Sequence, residues 1–306
     1  MKKFHKFIKD LDIKETQFGS SILDDKDSIE FPSKHVIIFY CELNKNSETL
    51  GGRERDYHYK RYIKCKEHGF HLITMFEDEW LNNTKIIQSK IRHILGLNDE
   101  KSIYARKCYI TSIEPNTASV FCKKYHIQGY APSSIKLGAY HMGNLVAIMT
   151  FNVPSLSKGN KYNKGDVYEL SRFCTSSIVV GIAGKFMKYF QNNYRWSKIF
   201  TFADIRWSNG NLYRKIGFDN GSERITKPNY YYYKPPSIKR YHRFNFRKDV
   251  LNNKLNMFDN NKTEYENMVM NGYSRIWDAG NYRWEITNED YKSEVNKIND
   301  LGLWFE

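Results

Sequence analysis

The sequence has few of the features that mark a membrane or secreted protein. No apolar run approaches the ~18 residues that a membrane-spanning helix needs, and the mean hydropathy is −0.68. The first residues, MKKFHKFIKDLDIKE, do not contain the apolar core of a signal peptide and are predicted to form a short basic amphipathic helix. We therefore expect a cytoplasmic protein without a membrane partner.

Cysteine is also scarce. The five cysteines, listed here by position as 41, 65, 108, 122 and 174, are an odd number and include no CxxC pair. A disulfide framework uses paired cysteines, and a structural zinc site uses closely spaced ones. We predict five buried thiols, a reducing compartment and no disulfide-linked partner.

Acidic residues are outnumbered by basic ones. The chain has 48 Lys+Arg against 34 Asp+Glu, which gives a net charge of +14, and it has 19 Phe, 23 Tyr and 6 Trp. An excess of positive charge attracts polyanions and releases their counterions on binding. The aromatic content is sufficient for hydrophobic cores. These features favour a folded protein that acts on nucleic acid, and we expect DNA, double- or single-stranded, as the partner.

Hydrophobic periodicity predicts an α/β fold class with three regions. The first, 1–100, has the order α-β-β-α-β-α, with a helix after Asn83. The second, 103–233, contains a hairpin that turns at Met142-Gly143, followed by strands that alternate with helices. A final YYYY strand (230–233) is expected to join the same mixed sheet. The third, 234–306, contains a helix with a Thr263/Glu266 capping box and a predicted strand–turn–strand ribbon at 275–286.

Two stretches of the first region carry a family resemblance. They are SIEFPSKHVIIFYCELNKNSE (28–48) and DYHYKRYIKCKEHGFHLITMFEDEW (56–80). They resemble the Vsr-like branch of the PD-(D/E)XK nucleases, in the form found in phage Hef-like homing endonucleases. This resemblance implies a small mixed-sheet nuclease-type domain and a phage-infected bacterial cell as the location.

The metal-binding positions of that family are altered here. On this alignment the Asp, Glu and His of the family fall on Ser28, Phe39 and Asn46. Phosphodiester hydrolysis in this class needs hard oxygen ligands for Mg²⁺, and a phenyl ring supplies none. Asp27 and Glu42 lie at odd offsets on their strands, which points them to the opposite face. We expect a degenerate nuclease domain without a metal site, and Mg²⁺ as a cofactor only if the domain is active.

The second region carries a different resemblance, in ELSRF (169–173), VVGIAGK (179–185) and TFADIRWSNGNLYRKIGF (201–218). These motifs and their layout resemble the GNAT acyltransferase fold, especially the phage Mom-type adenine-modification proteins. The resemblance implies a GNAT-like mixed-sheet domain that binds acyl-CoA. In such folds, backbone N–H groups at a helix start bind the pyrophosphate.

The resemblance also assigns site residues. Gly181, Ala183 and Gly184 would let the backbone approach the pyrophosphate, and Lys185 would add charge, although Ile178 stands where the family usually has Arg or Gln. The candidate catalytic residues are Asp204 at a strand end, Tyr213 as a general acid, Glu169 and Arg172. Strand alternation places the last two, which are three residues apart, on opposite faces.

The segment KPPSIKRYHRFNFRK (234–248) contains six Lys or Arg and no acid. Cations bind phosphates, and aromatic faces stack on unpaired bases. The candidate nucleic-acid contacts are Arg240, Tyr241, Arg243, Phe244, Arg247 and Lys248, with His58 of the first region as a phosphate contact. The stretches 239–248 and 272–280 also resemble the C-terminal part of the same homing-endonuclease group.

The sequence is compatible with three functions. The first is a DNA-binding protein of homing-endonuclease descent with an inactive nuclease domain and an acyl-CoA-dependent domain that modifies a DNA base. The second is a metal-dependent homing endonuclease. The third is a non-enzymatic DNA-binding or host-interaction protein.

Overall fold

The computed structural model describes residues 1–98, 101–154, 166–219 and 224–289. The chain divides into two compact units, each built from three segments of sequence. The first unit comprises residues 1–96, 204–209 and 225–281, and the second comprises residues 97–203, 210–224 and 282–306. The structure thus groups residues 234–281 with the N-terminal region, whereas the sequence predicts a separate extension.

The N-terminal part of the first unit is a four-stranded sheet with helices on both faces. In chain order its helices and strands are α1 (Lys2–Lys9), β1 (Gln17–Ser20), β2 (Asp25–Phe31), β3 (Val36–Cys41), α2 (Leu43–Asn46), α3 (Glu48–Gly51), α4 (Tyr57–Glu67), β4 (His71–Phe76), α5 (Glu77–Asn82) and α6 (Thr84–Ile94). The sheet order is β1-β2-β3-β4. Strand β3, VIIFYC, is buried at every position because β2 pairs with one edge, β4 pairs in parallel with the other, and helices cover both faces.

Alternation along β3 directs neighbouring side chains to different helices. Tyr40 packs on Phe4 of α1, with ring centroids 5.3 Å apart. Phe39, the preceding residue, faces α4 and contacts Arg61 and His58. The predicted order of helices and strands in this region is confirmed, and β1 and the short helices α2, α3 and α5 add to it.

The second unit is built on a six-stranded mixed sheet. Its helices and strands are β5 (Ile103–Tyr104), β6 (Tyr109–Ser112), α7 (Pro115–Tyr125), β7 (Ile135–His141), β8 (Asn144–Asn152), β9 (Val167–Thr175), β10 (Val179–Val180), α8 (Ile182–Asn193), β11 (Lys198–Asp204) and α9 (Asn211–Lys215). The last residue of β11, Asp204, is assigned to the first unit. With the C-terminal strand β15 (Asn281–Thr287), the sheet order is β15-β11-β9-β8-β7-β6, and β5 pairs separately with β10.

Helices cover both faces of this sheet. On one face, α8 packs Phe190 on Phe151 of β8, with ring centroids 3.9 Å apart. On the other, α7 contributes Phe121 and Cys122 to a core with Ile148 and Cys174. The hairpin β7–β8 turns through Met142 and Gly143 as predicted, both at positive φ. The mixed α/β fold class is confirmed.

The C-terminal segments complete both units. They contain β12 (Tyr230–Tyr233), β13 (Tyr241–His242), α10 (Lys248–Leu251), α11 (Glu264–Met270), β14 (Ser274–Trp277) and β15 (Asn281–Thr287). The capping box of Thr263 and Glu266 at the start of α11 is confirmed. Strands β13, β12 and β14 form a three-stranded sheet of the first unit.

Two sequence predictions about these strands are wrong. The YYYY strand β12 pairs with β13 and β14, so it does not belong to the six-stranded sheet. The predicted ribbon at 275–286 does not form either, because β14 pairs with β12 while β15 joins the sheet that contains β11.

All five cysteines are buried free thiols, as predicted. None of the helices in the described ranges is long and apolar enough to cross a membrane.

Candidate functional site

The parallel strands β9 and β11 separate partway along their length. They pair only where Lys198–Phe200 lies beside Val167–Glu169, although each strand continues for several described residues. Just beyond the last pair, the Thr201 hydroxyl donates to the Leu170 carbonyl at 2.9 Å. Backbone polar groups that lose a strand partner need another one. The separated edges therefore offer hydrogen-bonding groups to a ligand.

A β-bulge lies on β9 at the point where the strands separate. β9 advances two residues, from Leu170 to Arg172, where β8 advances one, from Phe151 to Thr150. The additional residue is Ser171. Bulges occur next to active sites, where they redirect side chains.

The bulge changes which face Arg172 occupies. Glu169 pairs with Asn152 and Arg172 pairs with Thr150. Because Asn152 and Thr150 are two residues apart on a regular strand, they share a face, and so do their partners. The prediction that Glu169 and Arg172 lie on opposite faces is therefore wrong.

The glycine turn opens α8 a few residues after β9 ends. Gly181 is the N-cap, with φ 78° and ψ 1°, a left-handed conformation that favours glycine. Gly184 lies in the first turn and is exposed, and a Cβ added there would meet no atom within 4 Å. Ala183 is buried against the sheet side. The first turn of this 12-residue helix thus presents an open surface with backbone N–H groups, which suits an anion.

Lys185 is already engaged inside the unit. Its ammonium donates to the carbonyls of Ala105, at 3.0 Å, and of Cys108. These contacts tie the short turn after β5 to the start of α8. A contact between Lys185 and a phosphate would require it to leave at least one of these carbonyls.

Tyr213 lies on α9, half-buried, near Arg172, the residue that follows the bulge. Burial raises the pKa of the Tyr213 phenol, while its hydrogen bond with Thr201 and the charge of Arg172 oppose that change. The phenol is therefore protonated at neutral pH, as a general acid must be. The Arg172 guanidinium donates to the carbonyls of Gly129, at 2.9 Å, and Ser171, at 2.7 Å, which fixes its position.

Asp204 occupies a different environment from the one expected for a catalytic base. It belongs to the first unit, and its carboxylate accepts from Arg206 Nη2 at 2.6 Å and from the Arg206 backbone N–H at 3.0 Å. Its side chain is mostly buried. Asp204 thus serves an ion pair of the first unit.

That ion pair is part of a buried charge cluster, which comprises Asp78, Glu79, Asp204, Arg206 and Arg240. Glu79 accepts from Arg206 at 3.0 and 3.1 Å and from Arg240 at 3.1 Å, and Asp78 accepts from Arg240 at 2.7 Å. Both guanidinium carbons lie within 4.3 Å of the Phe76 ring centroid. The cluster fixes the end of β4 to two remote segments of the chain.

The cations of the buried charge cluster control its ionisation. Burial opposes the charge on Glu79, but Arg206 and Arg240 outweigh it and lower the pKa of Glu79. Burial also opposes the charges of both arginines, and the carboxylates outweigh it and raise their pKa values. For Asp78, burial prevails over Arg240 and raises the pKa.

Asp278 is a further buried carboxyl of the first unit, beside this cluster. Its Oδ1 accepts from the backbone N–H groups of Asn229 at 2.7 Å and Gly280 at 2.9 Å. Burial, and then the charge of Asp204, raise its pKa from 3.8 to about 6. The folded protein therefore binds a proton at Asp278 more tightly than the unfolded chain does.

We expect Asp278→Asn to remove a pH dependence of stability. Because the folded pKa is raised, the contribution of Asp278 to stability falls as pH rises from about 4 to about 6. Each pKa unit corresponds to 1.36 kcal/mol, so the full difference is about 3 kcal/mol. The asparagine keeps both accepted hydrogen bonds. Urea unfolding at pH 4.5 and pH 7.5 should show the variant stabilised more at the higher pH, by about 2 kcal/mol.

A matched control is Asp249→Asn, whose side chain is 64% exposed. It should leave both free energies of unfolding within about 0.5 kcal/mol. An equal effect of Asp278→Asn at both pH values would contradict the assignment.

An arginine lies where the nuclease resemblance places the metal. Ser28 and Phe39 are direct cross-strand partners on β2 and β3. The Arg61 guanidinium lies 4.2 Å from the Phe39 ring centroid and donates to Asp25 and to Ser28 Oγ, the latter at 3.2 Å. The remaining family position, Asn46, donates to the Glu42 carbonyl at 2.9 Å. A cation of the protein itself therefore occupies this region.

The possible substitute ligands do not converge. Glu42 forms an ion pair with Lys45 at 2.7 Å. Within the described ranges, no group of three or more His, Cys, Asp and Glu side chains is placed to hold a metal ion. Glu77, Asp78 and Glu79 are directed to backbone and arginine partners, with Glu77 accepting from the Leu43 N–H at 3.3 Å.

The assignment of His58 as a phosphate contact is wrong. His58 is 1% exposed and packs among the rings of Phe39, Tyr57 and Phe76. Burial, followed by the charge of Arg61, lowers its pKa well below the usual value. A neutral, enclosed imidazole cannot reach a polyanion.

The basic segment divides into buried and exposed members. Arg240 is buried with Asp78 and Glu79, so its assignment to nucleic acid is wrong in this structure. Tyr241 is half-buried in β13. The exposed residues are Arg243, Phe244, Arg247 and Lys248. Phe244 is 59% exposed, a large fraction for a phenyl ring.

Sequence reasoning missed Arg206, Arg61 and Asp278. Arg206 follows Asp204 by two residues, the spacing of an Asx turn, and the Asp204 carboxylate accepts the Arg206 backbone N–H. Glu79, which pairs with Arg206, and Asp25, which pairs with Arg61, come from other parts of the chain, and the sequence gives no signal of those pairings.

Comparisons with known proteins give a limited result. No protein-family model matches the sequence, and no curated protein matches it. Among solved structures, the chain is similar to a GNAT family acetyltransferase from Elizabethkingia anophelis with acetyl-CoA bound, at 14% identity and a TM-score of 0.30, over 60% of this chain and 99% of that chain. It is also similar to an IAA acetyltransferase from Bacillus cereus, at 12% identity and a TM-score of 0.29, over 59% of this chain and 99% of that chain. TM-scores this low carry no argument, so any assignment of activity depends on the geometry of the second unit.

Proposed function

We propose that the second unit is an acyl-CoA-dependent acyltransferase and that the first unit binds DNA as the acceptor. The observations that carry the enzymatic part are the separation of β9 from β11 and the glycine turn that opens α8 a few residues after β9 ends. The separated edges can bind a chain of amides, and the start of α8 can bind a pyrophosphate. A chain of amides and a pyrophosphate both occur in coenzyme A.

Two features of the second unit suit acyl-CoA. The space beside Gly184 is open to a ligand, and the β-bulge brings Arg172 and Glu169 to one face. Acyl-CoA, when bound, supplies a thioester whose acyl group is transferred. The backbone N–H groups after Gly181 would bind the pyrophosphate. Because Ile178 stands where the family usually has Arg or Gln, no side chain at that position would assist the backbone.

Tyr213 is the proposed general acid. Acyl transfer to a nucleophilic nitrogen or oxygen of the acceptor would break the C–S bond of the thioester. Tyr213 would donate its proton to the departing sulfur, the acceptor would release one proton to water, and the phenol would regain a proton from solvent. The raised pKa of Tyr213 keeps this proton in place at neutral pH.

DNA as the acceptor is proposed from charge. The chain carries a net charge of +14, and the first unit exposes Arg243, Arg247 and Lys248. The Arg61 guanidinium contacts Phe39 and Asp25, where the nuclease resemblance places the metal ion. This arrangement supports DNA binding without cleavage. A DNA base amine is the proposed site of modification.

Calorimetric titration of the full chain with acetyl-CoA tests the enzymatic part. We expect saturable heat with one site per chain, and pantetheine, which has no pyrophosphate, should bind far more weakly. Release of free thiol from acetyl-CoA should then rise when oligonucleotide is added. A folded chain that gives no heat at millimolar acetyl-CoA would exclude the proposed activity.

A further inference from the structure

A row of rings and guanidinium groups runs across the first unit. It comprises Arg55, Trp277, Tyr230, Arg243 and Phe244, and we call it the aromatic–arginine track. Arg55 Cζ lies 5.3 Å from the Trp277 ring, and Trp277 and Tyr230 meet edge to face at 4.9 Å. Arg243 Cζ lies 5.2 Å from the Tyr230 ring and 5.4 Å from the Phe244 ring. Residues from three distant parts of the sequence thus form one row.

The inner rings of the track are held in place by hydrogen bonds. The Trp277 indole N–H donates to Glu48 at 2.8 Å, and the Tyr230 hydroxyl donates to Glu264 at 2.9 Å. Arg275 pairs with the same Glu48 at 2.6 and 2.8 Å and lies 4.9 Å from the Trp277 ring. These contacts fix the orientation of both rings before any ligand arrives, which reduces the entropy lost on binding.

The outer members of the track face solvent. Arg55, Arg243 and Phe244 are exposed, and Arg247 and Lys248 follow directly with exposed charges. A single exposed phenylalanine is unremarkable on a protein surface. Here the exposed ring stands beside exposed cations at the end of an ordered row, so hydrophobic contact and phosphate contact are available to one ligand.

An exposed aromatic ring beside exposed cations favours single-stranded over double-stranded nucleic acid. A duplex keeps its base faces stacked inside, so a protein meets mainly its phosphates and groove edges. A single strand exposes base faces, which stack on aromatic rings and on arginine planes. A surface built only for duplex phosphates would gain nothing from Phe244 or from ordered rings beneath the arginines.

We propose that the aromatic–arginine track binds single-stranded nucleic acid, with bases on Phe244 and the exposed guanidinium planes and phosphates on Arg243, Arg247 and Lys248. This inference rests on the proposed function, because it specifies the form of DNA that the first unit presents as acceptor. It also includes residues outside the basic segment, namely Arg55, Tyr230 and Trp277.

Fluorescence polarisation of the full chain with labelled oligothymidylate, a duplex of equal length and inorganic polyphosphate tests the track. We expect the single strand to bind more tightly than the duplex. Phe244→Leu, which keeps apolar bulk but removes the ring, should weaken single-strand binding about five- to hundredfold, the range for one base–aromatic stack. Binding of polyphosphate should stay unchanged.

Two matched variants control this measurement. Phe18 is 49% exposed in the same unit, so Phe18→Leu should leave single-strand binding unchanged. Arg243→Ala should reduce the slope of log K against log salt by about 0.7, the value for one phosphate contact on a single strand. The exposed Lys123 of the second unit supplies the charge-matched control Lys123→Ala.

Tryptophan fluorescence reports on the track directly. Trp277 is half-buried, while Trp80, Trp196, Trp207 and Trp284, the other tryptophans within the described ranges, are at most 8% exposed. Among these described tryptophans, Trp277 is therefore the one expected to be quenched by oligothymidylate, and quenching should decrease in Trp277→Phe.

The outcomes separate this inference from the function on which it rests. Unchanged single-strand affinity in Phe244→Leu, or an equal loss for duplex and polyphosphate, would overturn the track as a base-stacking surface while DNA binding stands. Absence of binding to every nucleic acid would overturn both the track and the proposed acceptor. The acetyl-CoA titration remains independent of either result.

Discussion

Gly184→Val is expected to abolish acetyl-CoA binding without unfolding the protein. The added Cβ would enter open space, so it would not clash with the second unit itself, and valine has a higher helix propensity than glycine. The same side chain would cover the backbone N–H groups that a pyrophosphate must reach. Titration calorimetry should show saturable heat for the parent chain and none for the variant up to millimolar ligand.

The choice of Gly184 over Gly181 follows from backbone conformation. Gly181 has φ 78°, so any side chain there strains the turn whether or not a ligand binds. Gly184 carries no such strain. Asn192→Val, an exposed position two turns later on α8, is the matched control and should keep its affinity. Undiminished binding by Gly184→Val would place the pyrophosphate elsewhere.

Arg206→Met is expected to destabilise the first unit by about 3–5 kcal/mol, the usual cost of leaving a buried charge without its partner. Glu79 would lose two hydrogen bonds and Asp204 would lose its ion pair. Methionine retains much of the apolar volume over Phe76, so the loss reflects charge more than packing. Urea unfolding measures the effect, and hydrogen exchange of 71–82 locates it.

The surface pair Arg247–Asp249 provides the comparison. Both side chains are more than 60% exposed, so Arg247→Met should change stability by less than about 1 kcal/mol. Faster exchange throughout 71–82 in Arg206→Met, with protection kept in α8, would match the prediction. Equal effects of the two substitutions would show that the buried charge cluster contributes no more than a surface pair.

Local sequence signals predicted the local structure well. The apolar run of β3, the Thr263/Glu266 capping box and the Met142-Gly143 turn each depend on residues within a few positions of one another. The start of α8 at Gly181 is also a local property. The candidate cofactor turn could therefore be placed from sequence.

Features that depend on distant residues could not be predicted. Arg240 meets Glu79 across 161 positions, and a basic, acid-free segment gives no sign that one of its arginines is buried. The bulge at Ser171 exists only in the register between β8 and β9, so alternation along β9 alone gave the wrong face for Arg172. The aromatic–arginine track likewise appears only when β12 and β14 are paired.

The segmented construction of the first unit has a consequence for protein synthesis. Residues 1–96 leave the ribosome first, but Arg206 and Arg240, the counterions of Glu79, are made much later. At about 5–20 residues per second, the interval before residue 281 is added is roughly 10–40 s. Until residue 240 has been added, Asp78 and Glu79 of the nascent N-terminal region lack the full set of arginine partners that they have in the folded protein. Completion of this unit therefore requires synthesis through residue 281, whereas β6 to β9 and β11, five of the six strands of the second unit's main sheet, have all been made by residue 204.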